Sequence, residues 1–282
     1  MATIAATWGV IGVLVRWTAL PAVVIVAART SLGSLTLLAR RGPRRAARSA
    51  WRQGAWRGFV LLGLLLAVHW LTLVAAQQRA PIGTVLLIVY LSPVIVTAFA
   101  PLVLHEHVSR RTVVALAVAL VGLAVLVHPK ASDRAGVVLA MVSAVTYAAM
   151  TLCTKRLVRS IEPAALALGQ LAVAASVLVP VAAFARWGSP HARWLWLIVL
   201  GVGLTGLLLP RYFAVLEVLP ASVVGVLGEL EPVAAVLFAW LLLHDRPTLR
   251  VVLGGAFVLA AGIMVVSAAG ARRDRSAPVV AR

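Results

Sequence analysis

An internal repeat constrains the fold of this 282-residue chain more than any other feature of its sequence. When the sequence is shifted by 139 residues against itself, residues 81–127 align with residues 220–266 without a gap. The positions that coincide include aromatic residues, prolines, acidic turns and basic residues: Trp8 with Tyr147, Arg16 with Lys155, Pro81 with Pro220, Pro93 with Pro232, His105-Glu106 with His244-Asp245, and Arg111 with Arg250. Because the shift is close to half the length, the chain consists of two copies of one unit.

Each copy is too apolar to fold in water. Hydrophobic residues make up 62% of the chain and charged residues 12%, and the mean hydropathy is +1.03. A soluble domain is only about 45–50% apolar and carries about 25% charged residues. The surrounding solvent must therefore be lipid, and two repeated units in a membrane are typical of secondary transporters.

The net charge of +18 does not indicate a nucleic-acid partner, although many basic proteins bind nucleic acids. The arginines lie in short stretches between apolar segments, where positive charge fixes the orientation of a membrane protein. The only cysteine, Cys153, excludes an internal disulfide bond and any metal or iron–sulfur site built from several cysteines. We expect neither a bound metal nor another cofactor.

The apolar segments predict an all-α membrane protein with ten transmembrane helices. A membrane-spanning helix needs about 20 mostly apolar residues, and the segments lack the two-residue alternation of a transmembrane β-barrel. Prolines, which suit the start of a helix, mark several of the turns. The predicted spans are residues 2–19, 21–40, 57–77, 82–104, 111–128, 135–155, 163–186, 194–215, 221–243 and 249–270.

The distribution of positive charge predicts that both termini lie in the cytoplasm. With the N-terminus inside, the inner loops and the C-terminal tail hold 17 of the 26 lysines and arginines, and the outer side holds 8. The inner excess includes the seven arginines of residues 40–57, a stretch of sequence without any acid. Cytoplasmic loops carry such an excess, so we expect a multi-pass protein of the cytoplasmic membrane.

Five spans in each half make the predicted repeat an inverted one. An odd number of spans brings the second unit into the membrane from the opposite side, so a pseudo-twofold axis lies in the membrane plane. We expect the first repeat in residues 1–134, the second in residues 135–270 and a cytoplasmic tail in residues 271–282. Two such units around a central cavity can open it alternately to either side of the membrane.

Two copies of one sequence signature resemble the EamA domain of the drug/metabolite transporter superfamily. The signature is a span with a central proline, then an acidic turn and a glycine-bearing span. It reads "YLSPVIVTAFAPLVLHEHVSRR" in the fourth predicted span and "LPASVVGVLGELEPVAAVLFAWLLLHDRPTLR" in the ninth. Trp8-Gly9 in the first span, and Pro21 followed by Arg29 in the second, add to the resemblance. The likeness implies ten helices around a central cavity. It also implies export or exchange of small metabolites, often amino acids, driven by an ion gradient or by exchange.

The acidic turns depart from the family pattern, because each has histidine where a Gly-Glu turn is usual. The cluster His105-Glu106-His107 lacks the spacing of a helical zinc site, and no fourth ligand accompanies it in the sequence. Its copy in the second half, His244-Asp245-Arg246, has a cation in place of the second histidine. We therefore interpret both clusters as acidic turns at the membrane interface and not as a metal site.

Glu229 and Glu231 are the acids that fall within a predicted span, eight and ten residues past the start of the ninth. At about 1.5 Å per residue they lie about 12–15 Å deep, where a charge is costly unless it faces water or a partner. Residues two apart on a helix point about 200° apart, so both cannot face one cavity. We expect Glu229, which coincides with Tyr90 in the repeat, to face it. Glu231 is a second candidate, or it pairs with Arg29 or caps backbone amides.

Arg29 is the cation that lies well inside a predicted span. Its planar guanidinium suits a bidentate contact with a substrate carboxylate, but a fixed ion pair with a glutamate of the ninth span is an alternative.

His69, next to Trp70 in the third span, also allows a functional and a structural interpretation. A histidine titrates near neutral pH and can carry a proton, whereas a lone histidine inside a membrane can instead hydrogen-bond a neighbouring helix.

Aromatic residues and prolines complete the predicted site. Near-symmetry of the two copies would place Trp8 and Tyr147 opposite each other. Pro93 and Pro232 are each expected to kink their helix, and to act either as a hinge or as a static kink. The predicted substrate-cavity residues are Trp8, Arg29, His69, Trp70, Tyr90, Tyr147, Tyr212 and Glu229, and the proton-coupling candidates are Glu229, Glu231 and His69.

These features predict a secondary active transporter that moves a small-molecule substrate across the lipid bilayer. The expected activity is export of a small metabolite such as an amino acid by alternating access, with proton coupling or exchange. A membrane-embedded enzyme or lipid-handling protein is an alternative class, although an enzyme needs a convergent acid, base and nucleophile or a metal set. A channel is a third class, and the sequence leaves monomer and homodimer open.

Overall fold

The computed structural model describes residues 1–80, 82–126, 133–185, 193–244 and 247–276. Within these ranges the chain is almost entirely helical and contains no β-strand. The α-helices are α1 (Ala2–Trp8), α2 (Ile11–Thr18), α3 (Ala22–Leu38), α4 (Arg41–Ala50), α5 (Trp56–Arg79), α6 (Ile82–Val89), α7 (Ser92–Leu104), α8 (Arg110–Leu126), α9 (Arg134–Leu157), α10 (Pro163–Ala183), α11 (Arg193–Ile198), α12 (Leu208–Val218), α13 (Ala221–Gly228), α14 (Leu230–Leu243) and α15 (Leu249–Ser276). Two π-helical segments, Trp51–Ala55 and Val199–Leu207, join α4 to α5 and α11 to α12.

Helices lie within the segments that the sequence predicts as spans, and several segments contain two of them. α1 and α2 share the first segment, α6 and α7 the fourth, α11 and α12 the eighth, and α13 and α14 the ninth. Residues 40–57, which we expected to form a loop, contain α4 instead. Ala46, Ala47 and Ala50 of α4 pack against the core and leave its arginines exposed. This amphipathic pattern is that of a helix lying along a membrane interface.

Within the described residues, seven helical stretches are long and apolar enough to cross a membrane, and two further apolar helices are shorter. Large apolar side chains such as Leu102 and Phe184 point outward, whereas Lys155 and Glu229 are buried inside. An apolar exterior around a partly polar interior is the arrangement that lipid requires. The seven stretches are Arg41–Ala76, Thr84–Leu104, Arg134–Leu157, Pro163–Ala183, Trp194–Val218, Ala221–Leu242 and Leu249–Ser267, and the shorter helices are Ala2–Val15 and Ala22–Leu38.

The helix boundaries recur with the 139-residue shift of the sequence. α6 and α13 begin at equivalent residues, and so do α8 and α15. Between these helices, His105 and His244 both have a left-handed backbone, with φ of 55° and 59°. Residues other than glycine rarely adopt this conformation. Because this conformation recurs at equivalent positions, the corresponding helices α7 and α14 are followed by the same backbone turn.

The fourth and ninth predicted spans are each broken into two helices at equivalent positions. α6 ends at Val89 before α7 begins, and α13 ends at Gly228 before α14 begins. Pro93 and Pro232 come four residues after these ends, and a proline has no N–H to donate to the carbonyl of Val89 or Gly228. The backbone stays right-handed helical at Leu91 and Glu229, so each interruption coincides with the hydrogen bond that the proline cannot make. The role of each proline as a hinge stays a prediction.

Close helix contacts join the two halves of the chain. A Cβ atom added at Gly9 would lie 2.6 Å from the Cβ atom of Ala234, so α1 packs tightly on α14. α8 and α15 also approach closely, because a Cβ atom at Gly254 would lie 2.6 Å from the carbonyl oxygen of Gly122. The largest core cluster links α3, α5, α7, α9, α10, α12 and α13. These helices surround the site.

Candidate functional site

A cavity of about 200 Å³ is lined by side chains from both halves of the chain. Its wall is mostly aromatic and aliphatic, with a few polar and charged groups. Seven of the predicted cavity residues line it, together with Glu231. These seven are Trp8, Arg29, His69, Trp70, Tyr90, Tyr147 and Tyr212. A smaller recess shares several of these residues and continues toward Pro93 and Val224.

Arg29 projects from α3 into this wall and is held from two sides. Its Nε donates to the hydroxyl of Thr205 at 3.3 Å, and its guanidinium carbon lies 4.4 Å from the centre of the Trp70 ring. Thr205 is itself anchored, because its hydroxyl donates to the carbonyl of Leu200 at 2.8 Å. Glu231 acts electrostatically on Arg29, but no contact ion pair of Arg29 occurs within the described part of the chain.

His69 ties α5 to α9. Its Nδ1 lies 3.0 Å from the carbonyl oxygen of Ser143 and 2.9 Å from the Ser143 hydroxyl. The imidazole also stacks on the ring of Tyr147, with centroids 4.9 Å apart and planes 14° apart. This geometry matches the structural alternative, in which a histidine bonds a neighbouring helix. One face of the residue still borders the cavity, and a proton-carrying role stays a prediction.

The tryptophan of the first span is also fixed by a hydrogen bond across the cavity. Trp8 Nε1 donates to the carbonyl of Leu204 at 3.0 Å, and its ring centre lies 5.3 Å from that of Tyr212. The carbonyl of Leu204 belongs to the π-helical segment Val199–Leu207, in which the helix is wider than an α-helix. Trp8 and Tyr147, which coincide in the repeat, both line the cavity.

The two glutamates of the ninth span are placed differently from our expectation. Glu231, at the start of α14, lines the cavity and is adjacent to Tyr90. Glu229, between α13 and α14, is 0% exposed and is not among the residues that line the cavity. Neither of its carboxylate oxygens has a hydrogen-bond partner in the described structure. Glu231, and not Glu229, is therefore the acid that borders the cavity.

Sequence reasoning missed Gln170 of α10. This residue lines the cavity and is buried, and its Nε2 donates to the carbonyl of Leu62 at 3.4 Å. The amide oxygen Oε1 has no hydrogen-bond partner in the described structure. A signal was present, because an amide inside an apolar span is costly and often marks a functional site. Thr151, Thr154 and Thr205 also line the cavity, but threonines are too common in membrane helices to be singled out from sequence.

The apolar helices and the cavity between them define a multi-pass helical membrane protein with an internal site for a small molecule. The sequence model of the EamA-like transporter family matches residues 1–128 and residues 134–267. The chain therefore belongs to the EamA-like transporter family, which confirms the predicted resemblance. The two matched ranges cover almost the whole described chain.

Three relatives extend the comparison. An uncharacterized transporter of Archaeoglobus fulgidus is 29% identical over 209 residues, which are 73% of this chain and 75% of that protein. The uncharacterized transporter YoaV of Bacillus subtilis is 24% identical, with 77% of each chain covered. The protein PecM of Dickeya dadantii is 28% identical, with 74% of this chain and 73% of its own covered. The family and these names indicate a transporter and not an enzyme.

The fold is also found among solved structures, of which one crystal structure serves as an example. It is 19% identical to this chain and superposes with a TM-score of 0.82, covering 95% of this chain and 96% of that one. The agreement over nearly the full length shows that the helices are arranged in the same way in both proteins. At this sequence identity the likeness shows the fold and does not identify a substrate.

Proposed function

We propose that the protein is a secondary active exporter of a small zwitterionic metabolite, with amino acids as the substrate class. The observation that carries this proposal is the presence of Arg29 and Glu231 in one cavity whose remaining wall is largely aromatic and aliphatic. One cation and one acid in an otherwise apolar site match a ligand that carries one charge of each sign. An isolated charge in the same site would be costly without such a counterpart.

The carboxylate of the substrate would bind Arg29. The Nε atom of Arg29 is engaged by Thr205, whereas its terminal nitrogens have no hydrogen-bond partner within the described chain. A guanidinium presents its donors in a planar fork that suits both oxygens of a carboxylate. Trp70 stacks on the guanidinium, and this contact holds the fork in one orientation before the ligand arrives.

The ammonium group of the substrate would bind Glu231, near the aromatic side chains of the cavity. Tyr90 lies beside Glu231, and Tyr147 and Tyr212 are also within electrostatic reach of its carboxylate. Aromatic faces attract cations and apolar groups alike. The cavity therefore suits an amino acid whose side chain is apolar or aromatic better than one with a second charge.

The unpartnered carboxylate of Glu229 supports proton coupling. A charged carboxylate that is fully buried without a hydrogen-bond donor is strongly disfavoured, and Glu229 has no such donor in the described structure. A group in this position gains or loses a proton when the packing around it changes. Glu231 and His69 are the other candidates for carrying the coupling proton, because both border the cavity.

Alternating access would come from ten membrane-spanning helices arranged as two inverted repeats, in residues 1–134 and 135–270, with both termini in the cytoplasm. The recurrence of helix boundaries and of the left-handed histidines supports two structurally equivalent units. Such units can exchange their packing and so open the cavity to the opposite side. The helix breaks before Pro93 and Pro232 supply positions where the backbone direction can change.

A sided flux assay tests this proposal. The purified protein is reconstituted into vesicles loaded with radiolabelled amino acids, and efflux is followed with and without an imposed pH gradient. We expect efflux of at least one apolar or aromatic amino acid that is accelerated by the gradient or by an exchanging amino acid outside. Absence of flux for every amino acid would overturn the substrate class. Flux that follows only its own gradient, together with an ionic conductance, would identify a channel.

A further inference from the structure

A buried ion pair lies at the end of the helix bundle that the charge distribution assigns to the cytoplasm. Lys155 is near the end of α9, and Glu106 follows α7. The Nζ of Lys155 is 3.3 Å from Oε1 of Glu106, and the two side chains are only 5% and 11% exposed. This pair belongs to neither the cavity lining nor the charged surface of α4. It also joins the two halves, because Glu106 is in the first and Lys155 in the second.

Both members of the pair also bind helix ends. The Nζ of Lys155 donates to the carbonyls of Leu216, Glu217 and Leu219, at 2.5, 3.2 and 2.9 Å, where α12 ends. Oε2 of Glu106 accepts from the backbone N–H of Ala221, the first residue of α13, at 2.8 Å. A cation at a helix C-terminus and an anion at an N-terminus each interact favourably with the helix dipole. The two side chains, the three carbonyls and the N–H form one polar cluster, and Arg159 joins it with a terminal nitrogen 3.8 Å from Oε1 of Glu106.

The cluster lies next to the path from the cavity to this end of the bundle. Thr154, which lines the cavity, directly precedes Lys155. Val224, which lines the smaller recess, is one helical turn after Ala221. Because the cluster ties α7, α9, α12 and α13 together there, these helices cannot separate at this end while its contacts persist. The cavity is therefore held closed on this side.

The contacts of Glu106 with Lys155 and with the N–H of Ala221 run from one half of the chain to the other, whereas the three carbonyls that Lys155 binds lie in its own half. Exchanging the packing of two inverted halves therefore breaks the contacts of Glu106 at this end. We propose that Glu106 and Lys155 form the inner gate of the transporter, closed in this structure. The proposal rests on the alternating access of the proposed function and adds the residues that hold this conformation.

Sided labelling of a cysteine tests the gate without knowledge of the substrate. Cys153 is replaced by serine, and Ser92, a buried residue of the smaller recess, is changed to cysteine with little change in volume. The reporter is then labelled by a membrane-impermeant thiol reagent in right-side-out and in inside-out vesicles. In this background the labelling rate from each side reports how often the cavity is open to that side.

Variants of the pair should open the cavity toward the cytoplasm. Glu106→Gln keeps an acceptor for the Ala221 N–H but removes the ion pair, and Lys155→Met removes the cation. Each should speed labelling from the cytoplasmic side about fivefold or more, as expected for loss of one to two kcal/mol from the closed state.

A matched control separates gating from a general loss of stability. The Arg79–Asp133 pair is exposed, with atoms 3.9 Å apart, and Asp133→Asn should leave both labelling rates unchanged. Unchanged rates in folded Glu106→Gln and Lys155→Met proteins would overturn the gate, and so would faster labelling from both sides in all variants. If the labelling rates change as expected while no amino acid is transported, the proposed substrate class is wrong and the gate is supported.

Discussion

The guanidinium of Arg29 stacks on the ring of Trp70, with its central carbon 4.4 Å from the ring centre, while its Nε is bound by Thr205 at 3.3 Å. The three residues come from α3, α5 and the π-helical segment Val199–Leu207. The cation is thus oriented by packing and by a hydrogen bond, and not by a contact ion pair within the described chain. A ligand that binds it meets a site that is already in position.

Arg29→Lys keeps the charge but removes the fork and the contact of Nε with Thr205. Hydrogen bonds to charged groups contribute about 1.5–3 kcal/mol, so we expect the KM of efflux to rise roughly tenfold to a hundredfold. Arg211→Lys is the control, because Arg211 is exposed and donates to the carbonyl of Leu207, one turn earlier in the chain. Transport kinetics in vesicles measure both variants. An unchanged KM in Arg29→Lys would remove Arg29 from substrate binding.

Glu231→Gln should discriminate between ligands that carry an ammonium group and ligands that lack one. The amide preserves the shape of the side chain beside Tyr90 but cannot neutralise the ammonium. We expect binding of an amino acid to weaken about tenfold or more, whereas binding of its deaminated carboxylate analogue stays the same. Competition against a labelled amino acid measures both. Equal weakening for the two ligands would point to a structural role for Glu231.

Glu229→Gln should uncouple transport from the proton gradient. The side chain is buried and its carboxylate oxygens are unpartnered in the described structure, so an amide of the same shape mimics only the protonated form. We expect exchange of labelled amino acid to continue while efflux no longer responds to an imposed pH gradient. Wild-type acceleration by the gradient in a folded Glu229→Gln protein would eliminate Glu229 from the coupling step.

Gly9→Ala should destabilise the contact between α1 and α14. The added Cβ would lie 2.6 Å from the Cβ of Ala234 and 2.7 Å from the backbone N of Ala235. A backbone atom cannot shift without displacing the helix to which it belongs. Overpacking of this kind costs about 1–3 kcal/mol. Gly12→Ala is the matched control, because a Cβ there meets no atom within 4 Å. Thermal unfolding in detergent should show a lower Tm for Gly9→Ala only.

A double-mutant cycle measures the bond between His69 and Ser143. Hydrogen bonds between membrane helices contribute about 0.6 kcal/mol on average and at most about 1.7. His69→Ala and Ser143→Ala should each lower the stability, and the double variant should lose less than the two losses combined. Unfolding of the four proteins gives the coupling energy. Additive losses would show that the contact of 2.9 Å contributes no stability.

Some features of the site were predictable from sequence because burial in lipid makes polar residues rare. Arg29, His69 and Gln170 each interrupt a long apolar stretch, and all three line the cavity. Arg29 and His69 were identified on this basis, whereas Gln170 was not. The choice between Glu229 and Glu231 was different, since both positions interrupt the same stretch. Periodicity shows that the two side chains diverge but not which one faces inward.

The sequence by itself determined that this is a helical membrane protein with a repeated sequence pattern, because an apolar chain in lipid must satisfy its backbone hydrogen bonds within helices. The EamA-like membership follows from the same pattern. Only the tertiary structure decided which groups meet. Arg29 stands over Trp70, Glu231 borders the cavity, and Lys155 reaches Glu106 from the other half. These contacts depend on helix rotation and crossing, which are set by packing between residues far apart in the chain.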